Sequence, residues 1–333
     1  MNRAANALVV TLVVTGVALC CFVIAKAQVV VLVFFAAIIL GETARPLVDR
    51  LSGRMNRAFA IVLALLGFVA LGAAAVVLPL GALKPEFPAF LHSLSGYVTQ
   101  FAAILQTWLG GNARDQFARL VTGNAASIGL ALFNLQKGIA SALSVVVLTF
   151  LMAGFWLASS QALGASVLTF VPASSRGRAQ DLFGAMGATL GVYASGVVVN
   201  GVLVALGSIL VLSLLHAPYP VVLGILQGLL VAVPYLGTLV AVVTAGSVVL
   251  AEQGWQKAAE AVLFLSLMEG FEGSFISPLI FKQRLNLDPL ATVLATGIGG
   301  AVLGVPGVVL AIPFAALLQT IFQRAIAPAL RQP

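Results

Sequence analysis

Long uncharged apolar runs, several of 18 residues or more, recur from position 8 to position 322 and constrain the fold more than anything else in this chain. A run of that length matches the ~30 Å hydrocarbon core of a bilayer when it is coiled into a helix. Inside lipid the backbone must satisfy its own hydrogen bonds, which leaves helices as the way to use such runs. Charged residues make up 8% and hydrophobic residues 61% of the 333 positions. A soluble domain carries about 25% charged residues, so this chain cannot coat a globular surface. The expected fold class is all-α: a polytopic helical membrane protein with about eight passes.

The net charge is +7, but its basic residues sit in short loops and not along one face. That pattern marks a cytoplasmic side and argues against nucleic acid as a partner. The densest loop, 45–57, carries Arg45, Arg50, Arg54 and Arg57 against Asp49, which places it and the amino terminus in the cytoplasm. Cys20 and Cys21 are adjacent and say nothing about redox compartment, and His92 and His216 lack companions at metal-ligand spacing. Residues 4–25, followed by Ala25-Lys26-Ala27, imitate a secretory signal. The apolar part is longer than the usual 7–15 residues and another run opens at Gln28, so a retained membrane helix is expected.

Apolar segments at 8–25, 29–40 and 58–83 form an amino-terminal region over 1–83. A polar insert follows over 84–138, expected outside the cell. Within it Phe87, Leu91, Leu94, Val98, Phe101, Leu105 and Trp108 step by four and three, a heptad stripe on a helix ending near Gly110-Gly111. Such a helix can lie on the membrane or the rest of the protein, or form an oligomer contact. The region 139–333 holds the remaining spans, at 141–158 and 190–215, then two longer segments at 221–250 and 290–322. Asn200 is the strongly polar residue in the middle of its span and either bonds a neighbouring helix or binds cargo.

Both long segments are interrupted, one at Pro234-Tyr235-Leu236-Gly237 and one at Gly304-Val305-Pro306-Gly307. Proline withholds a backbone donor and glycine is conformationally permissive, so each point can bend or unwind a helix. Gly228-x4-Val233-Pro234 also parallels Gly300-x4-Val305-Pro306. Matched interruptions point to a transporter's binding place. Counting each segment as a hairpin reconciles the basic loops, including Lys282, Arg284 and Arg324, with one cytoplasmic side.

Two acids stand out, Glu269 and Glu272 in SLMEGFEGSFISP. A spacing of three sets them on one helix face. A charge at bilayer depth costs on the order of 2.5 kcal/mol or more, so it is kept for a cavity, a partner or an ion. Gly270 and Gly273 beside them allow a neighbouring backbone to approach. Two carboxylates this close in low dielectric resist carrying both charges at once, and such a pair can hold a proton or a cation. The alternative is that they are capped and only fix packing. Candidate binding residues are Glu269, Glu272, Tyr235, Asn200, Gln227 and Ser274, with hairpin breaks at Pro234, Gly237, Pro278, Gly300, Gly304, Pro306 and Gly307. Asp288-Pro289 reads as the N-cap and first position of the last helix. No phosphate-cradling G-x-x-x-x-G-K-[ST], no H-E-x-x-H and no G-x-S-x-G occurs, so an enzyme is not expected and no cofactor or metal is implied.

The residues Val233-Pro234-Tyr235-Leu236-Gly237, Glu272-Gly273-x4-Pro278, Leu287-x-Pro289-Leu290 and the Gly299-Gly300-x3-Gly304-x2-Gly307 run ending at Ala311-Ile312-Pro313 make this chain resemble the autoinducer-2 exporter (AI-2E) transporters, or PerM-like permeases. The likeness covers roughly 186–323 and extends to Pro234, Tyr235, Gly237, Glu272, Pro278, Pro289, Gly300 and Gly304. It implies a bacterial inner-membrane secondary transporter, multi-pass with both termini cytoplasmic and commonly a homo-oligomer. Its partners would be membrane lipid and a small polar solute such as autoinducer-2, with H+ or Na+ as a coupling ion. Family members described as Na+(Li+)/H+ antiporters supply an alternative, and an oligomeric pore or scaffold built on the Phe87–Trp108 stripe supplies another. The chain departs from the pattern where Val197 follows Tyr193-x-x-Gly196 and where Ser274 replaces an expected Asn. Glycine pairs Gly187/Gly191 and Gly224/Gly228 are expected to let the hairpins slide on their scaffold.

Overall fold

The computed structural model of the chain describes Thr15 and residues 27–77, 79, 81, 83–93, 96–97, 135–281 and 288–327. The expected first helix with Cys20 and Cys21, the stripe residues Leu94, Val98, Phe101, Leu105 and Trp108, and both Lys282 and Arg284 lie outside the described residues. Among the described residues all regular structure is helical, and six helices are long and apolar enough to cross a membrane.

Three helices form the amino-terminal part: α1 (Gln28–Ser52), α2 (Arg57–Val77) and α3 (Leu135–Thr169). α2 covers 57–77 of the expected 58–83, whereas α1 and α3 outrun the apolar stretches that announce them, because helical hydrogen bonding does not need apolar side chains. In α1 it carries on through Arg45 and Arg50, leaving residues 53–56 as the connection to α2. Ala44 and Val48 of α1, Ala60, Ile61 and Ala64 of α2, and Leu157 of α3 make one buried cluster.

The scaffold is α4 (Arg176–Leu214), 39 residues long, which packs against α1 and α3 on one side and the carboxy-terminal helices on the other. Small residues set the spacing. Gly187 and Gly191 lie directly on Glu42 of α1, where a Cβ would sit 2.6 Å from the carboxylate and 2.9 Å from the Glu42 carbonyl. That glycine pair therefore seats α1, whereas Gly224 and Gly228 seat the next helix, α5 (Pro220–Leu230), against Ala205, Ile209 and Gly201 of α4. The Glu42 carboxylate is buried but paired: its Oε1 accepts from Arg45 Nη2 at 2.6 Å and from Trp156 Nε1 at 2.7 Å.

Both expected breaks fold the chain back. Between α5 and α6 (Leu236–Gln253) the backbone turns through 231–235, with Tyr235 at φ 62°. Gly237 then comes onto the Leu230 carbonyl so closely that a side chain would overlap it. At 11 residues α5 is about 16 Å long, too short to cross a ~30 Å core. Next come α7 (Trp255–Phe271), a wide π turn over Glu272–Ile276 and the short α8 (Ser277–Phe281). The last helix, α9 (Pro289–Ile321), opens on Asp288, whose side chain accepts from the Leu290 and Ala291 N–H groups. At Gly304 it takes φ 64° and ψ −147°, a conformation open to glycine. There it reverses: Gly299 and Gly307, about 12 Å apart along a continuous helix, pack backbone to backbone. The arms 289–303 and 305–321 thus leave on the same side, each about 22–26 Å long.

The described part of the insert docks on the protein. Phe90 and Tyr97 are buried with Leu212, Val222, Leu223, Ala245 and Val248, while Phe87 stays exposed. Glu86 Oε2 accepts from the Val221 and Val222 N–H groups at 3.1 Å each, a carboxylate set at the positive end of α5. Replacing Glu86 by Ala should cost about 0.5–2 kcal/mol, the range for a lost N-terminal cap. A thermal melt of the purified protein would read this as a lower midpoint, and an unchanged midpoint would count against the cap.

Candidate functional site

Between α4, the α5–α6 turn, α7, α8 and the two arms of α9 lies a cavity of about 870 Å³. Its wall is assembled by the devices already described. The turn contributes Val231, Ala232, Pro234 and Tyr235; α7 and the π turn contribute Ser266, Glu269, Gly270, Glu272 and Gly273. Thr292 from the first arm of α9 and Ile312 from the second both reach it, which the reversal at Gly304 makes possible.

Two carboxylates meet here in contrasting settings. Glu269, half-buried on α7, has both oxygens engaged: Oε1 accepts from Gln227 Nε2 at 2.8 Å and Oε2 accepts from Thr238 Oγ1 at 3.2 Å. Glu272 is 8% exposed and opens the π turn, a widening of the helix that recurs at functional places. Its Oε1 is buried and takes no hydrogen bond among the described residues. Asn200, itself buried in the middle of α4, lines the same cavity as Glu272, and its own Oδ1 is likewise unengaged among the described residues. A third unengaged buried oxygen is Oε1 of Gln227. Leaving buried oxygens without donors costs roughly 1–3 kcal/mol each, so this end of the cavity suits an occupant that supplies hydrogen-bond donors or positive charge.

Of the candidates read from sequence, Glu269, Glu272, Asn200, Pro234 and Tyr235 come together on this wall, and Gln227 stands directly behind Glu269. Ser274 and Pro278 are exposed and do not line the cavity. Gly237 serves the hairpin contact, and Gly300, Gly304, Pro306 and Gly307 shape the α9 reversal away from the lining. Gly270 and Gly273 admit no neighbouring backbone: a Cβ on either would meet nothing within 4 Å, so they widen the cavity instead. Sequence reasoning passed over Thr238, Thr292, Ser266 and Ser277 as lining residues. Thr238, one helical turn past the break, was the most findable of them.

A family model described as "AI-2E family transporter" matches residues 8–327. The chain is 24% identical over 298 residues to "Putative transport protein YueF" of Bacillus subtilis (strain 168), covering 83% of this chain and 79% of that one. It is 26% identical over 310 residues to "Putative transport protein MT0215" of Mycobacterium tuberculosis (strain CDC 1551 / Oshkosh), covering 91% and 84%.

Proposed function

Because this chain belongs to the AI-2E family of transporters, we propose that it is a secondary transporter that moves a small polar solute, autoinducer-2 being the first candidate, outward across the bacterial inner membrane. The solute sits in the cavity between the α5–α6 turn and α9, and Glu272 carries the proton or cation that drives it. One observation supports this above the others: a cavity of about 870 Å³, within otherwise apolar helices, gathers Glu269, Glu272 and Asn200 with buried oxygens left unengaged. Polar groups at that depth are kept for cargo or ions. Both termini lie in the cytoplasm and the working unit is a homo-oligomer in this reading.

A second reading, Na+(Li+)/H+ exchange, draws on the same wall, since the unengaged buried atoms of Asn200 and Glu272 are oxygens and hard cations favour oxygen ligands. Purified protein in liposomes separates the two. Uptake of labelled autoinducer-2 that responds to a pH gradient supports the first; sodium or lithium pulses that dissipate a preset pH gradient without solute support the second. Discrete single-channel conductance steps would contradict both and point to a pore.

The open space beside Gly273 gives a further prediction. Gly273→Leu should fill part of the cavity and lower flux several-fold while leaving the melting midpoint near that of the parent protein, because its Cβ meets nothing within 4 Å and the rest of the side chain has the cavity to enter. Full flux in that variant would place the cargo elsewhere.

A further inference from the structure

The two acids of the cavity differ in what they touch, and the difference follows the topology of the hairpin. Gln227 lies one turn before the break and Thr238 one turn after it, on opposite arms, yet both donate to the same carboxylate. Gln227 is 2% exposed, so its amide has no access to bulk water as an alternative partner. Away from the cavity the arms share a buried cluster of Val222 and Leu223 with Ala245, Val248 and Val249; beside the cavity they are joined at the Gly237–Leu230 contact and by the turn, where Tyr235 holds φ 62°. A non-glycine residue at such an angle stores strain that the surrounding structure must hold in place. The Glu269 carboxylate bridges both arms and ties them to α7.

We propose that Glu269 is a positioning residue: by fastening both arms of the α5–α6 hairpin to α7 it sets the aperture of the cavity, leaving Glu272 as the acid that faces the cargo. The inference rests on the cavity being the transport site, but the clamp itself exists without cargo or gradient. Breaking it frees Gln227, Thr238 and the strained turn together, so the cavity end of the hairpin, residues 227–238, loosens while its packed far ends and the α1–α3 part stay closed. Glu272 touches neither arm through a hydrogen bond and does not share this task.

Hydrogen exchange followed by mass spectrometry on the full chain in detergent, with no solute added, tests this. Glu269→Ala should speed exchange of amides 227–238 by about tenfold or more, with residues 28–77 unchanged as the check on folding. Gln227→Leu should do the same, and the double variant should add little, since both remove one clamp. Glu269→Gln, which keeps one acceptor, should recover part of the protection, and Glu272→Gln should leave it intact. The proposal is overturned if Glu269→Ala leaves 227–238 as slow as before, or if Glu272→Gln opens the hairpin equally. If Glu269→Ala loosens the whole protein, Thr238→Val decides, faster exchange confined to the hairpin supporting the clamp and none overturning it. Because the readout contains no transport, an inactive but clamped protein would overturn the functional reading alone.

Discussion

Glu272→Gln is expected to cut pH-driven solute flux by about tenfold or more, the ratio that corresponds to ~1.4 kcal/mol, while the protein remains folded. The substitution keeps the volume and most of the hydrogen-bonding shape of a residue that is 8% exposed, and it removes only the charge. A charge at this depth costs roughly 2.5–3.5 kcal/mol, so neutralising it should leave stability equal or slightly higher. Asn200, on the same wall, can pair with an amide as well as with a carboxylate. Flux measured in liposomes with and without an imposed pH gradient separates the two effects: the variant should lose the gradient response and retain a gradient-independent leak. A gradient response equal to that of the parent would remove Glu272 from coupling, whatever the cavity does.

The second large effect concerns backbone contacts. A Cβ at Gly228 would overlap the Gly201 carbonyl, and one at Gly237 would overlap the Leu230 carbonyl. Backbone cannot rotate out of the way as a side chain can. Gly228→Val should push α5 off α4, and Gly237→Val should pry the hairpin arms apart. Overpacking costs typically about 1–3 kcal/mol where side chains can yield, so the penalty here should reach or exceed the upper end. Both variants are expected to yield little monodisperse protein by size-exclusion chromatography. Gly297→Ala supplies the opposite sign: nothing lies within 4 Å of its Cβ, and Ala is favoured over Gly in a helix by about 1 kcal/mol. Equal yields from all three would show that the helices are not seated on these glycines.

What could be read directly from residues was whatever has a local cause. The membrane helices follow from uninterrupted apolar runs, the cap of α9 from Asp288-Pro289, and both reversals from proline and glycine within apolar sequence. Glu269 and Glu272 stand out because charge is rare at that depth. What stayed hidden depends on partners distant along the chain. Gln227 reaches Glu269 across 42 positions and Glu86 reaches Val221 across 135. Glu42 drew no notice, since an acid three residues before an arginine reads as an ordinary surface pair near a helix end. Its burial follows from Trp156, 114 positions away, and from two glycines of α4. Gly270 and Gly273 differ from expectation for the opposite reason: absence of a side chain serves equally for close contact and for empty room, and sequence alone does not distinguish them.

The reversal at Gly304 also bears on how the protein enters the bilayer during synthesis. The insertion machinery commits a segment when roughly 20 apolar residues can cross, and neither arm of α9 reaches that length by itself. Both are therefore expected to be taken up together as one helical pair with its two ends on the same side. A mutation that straightens Gly304 would present the translocon with a single over-long crossing helix and send residues beyond 321 to the opposite compartment.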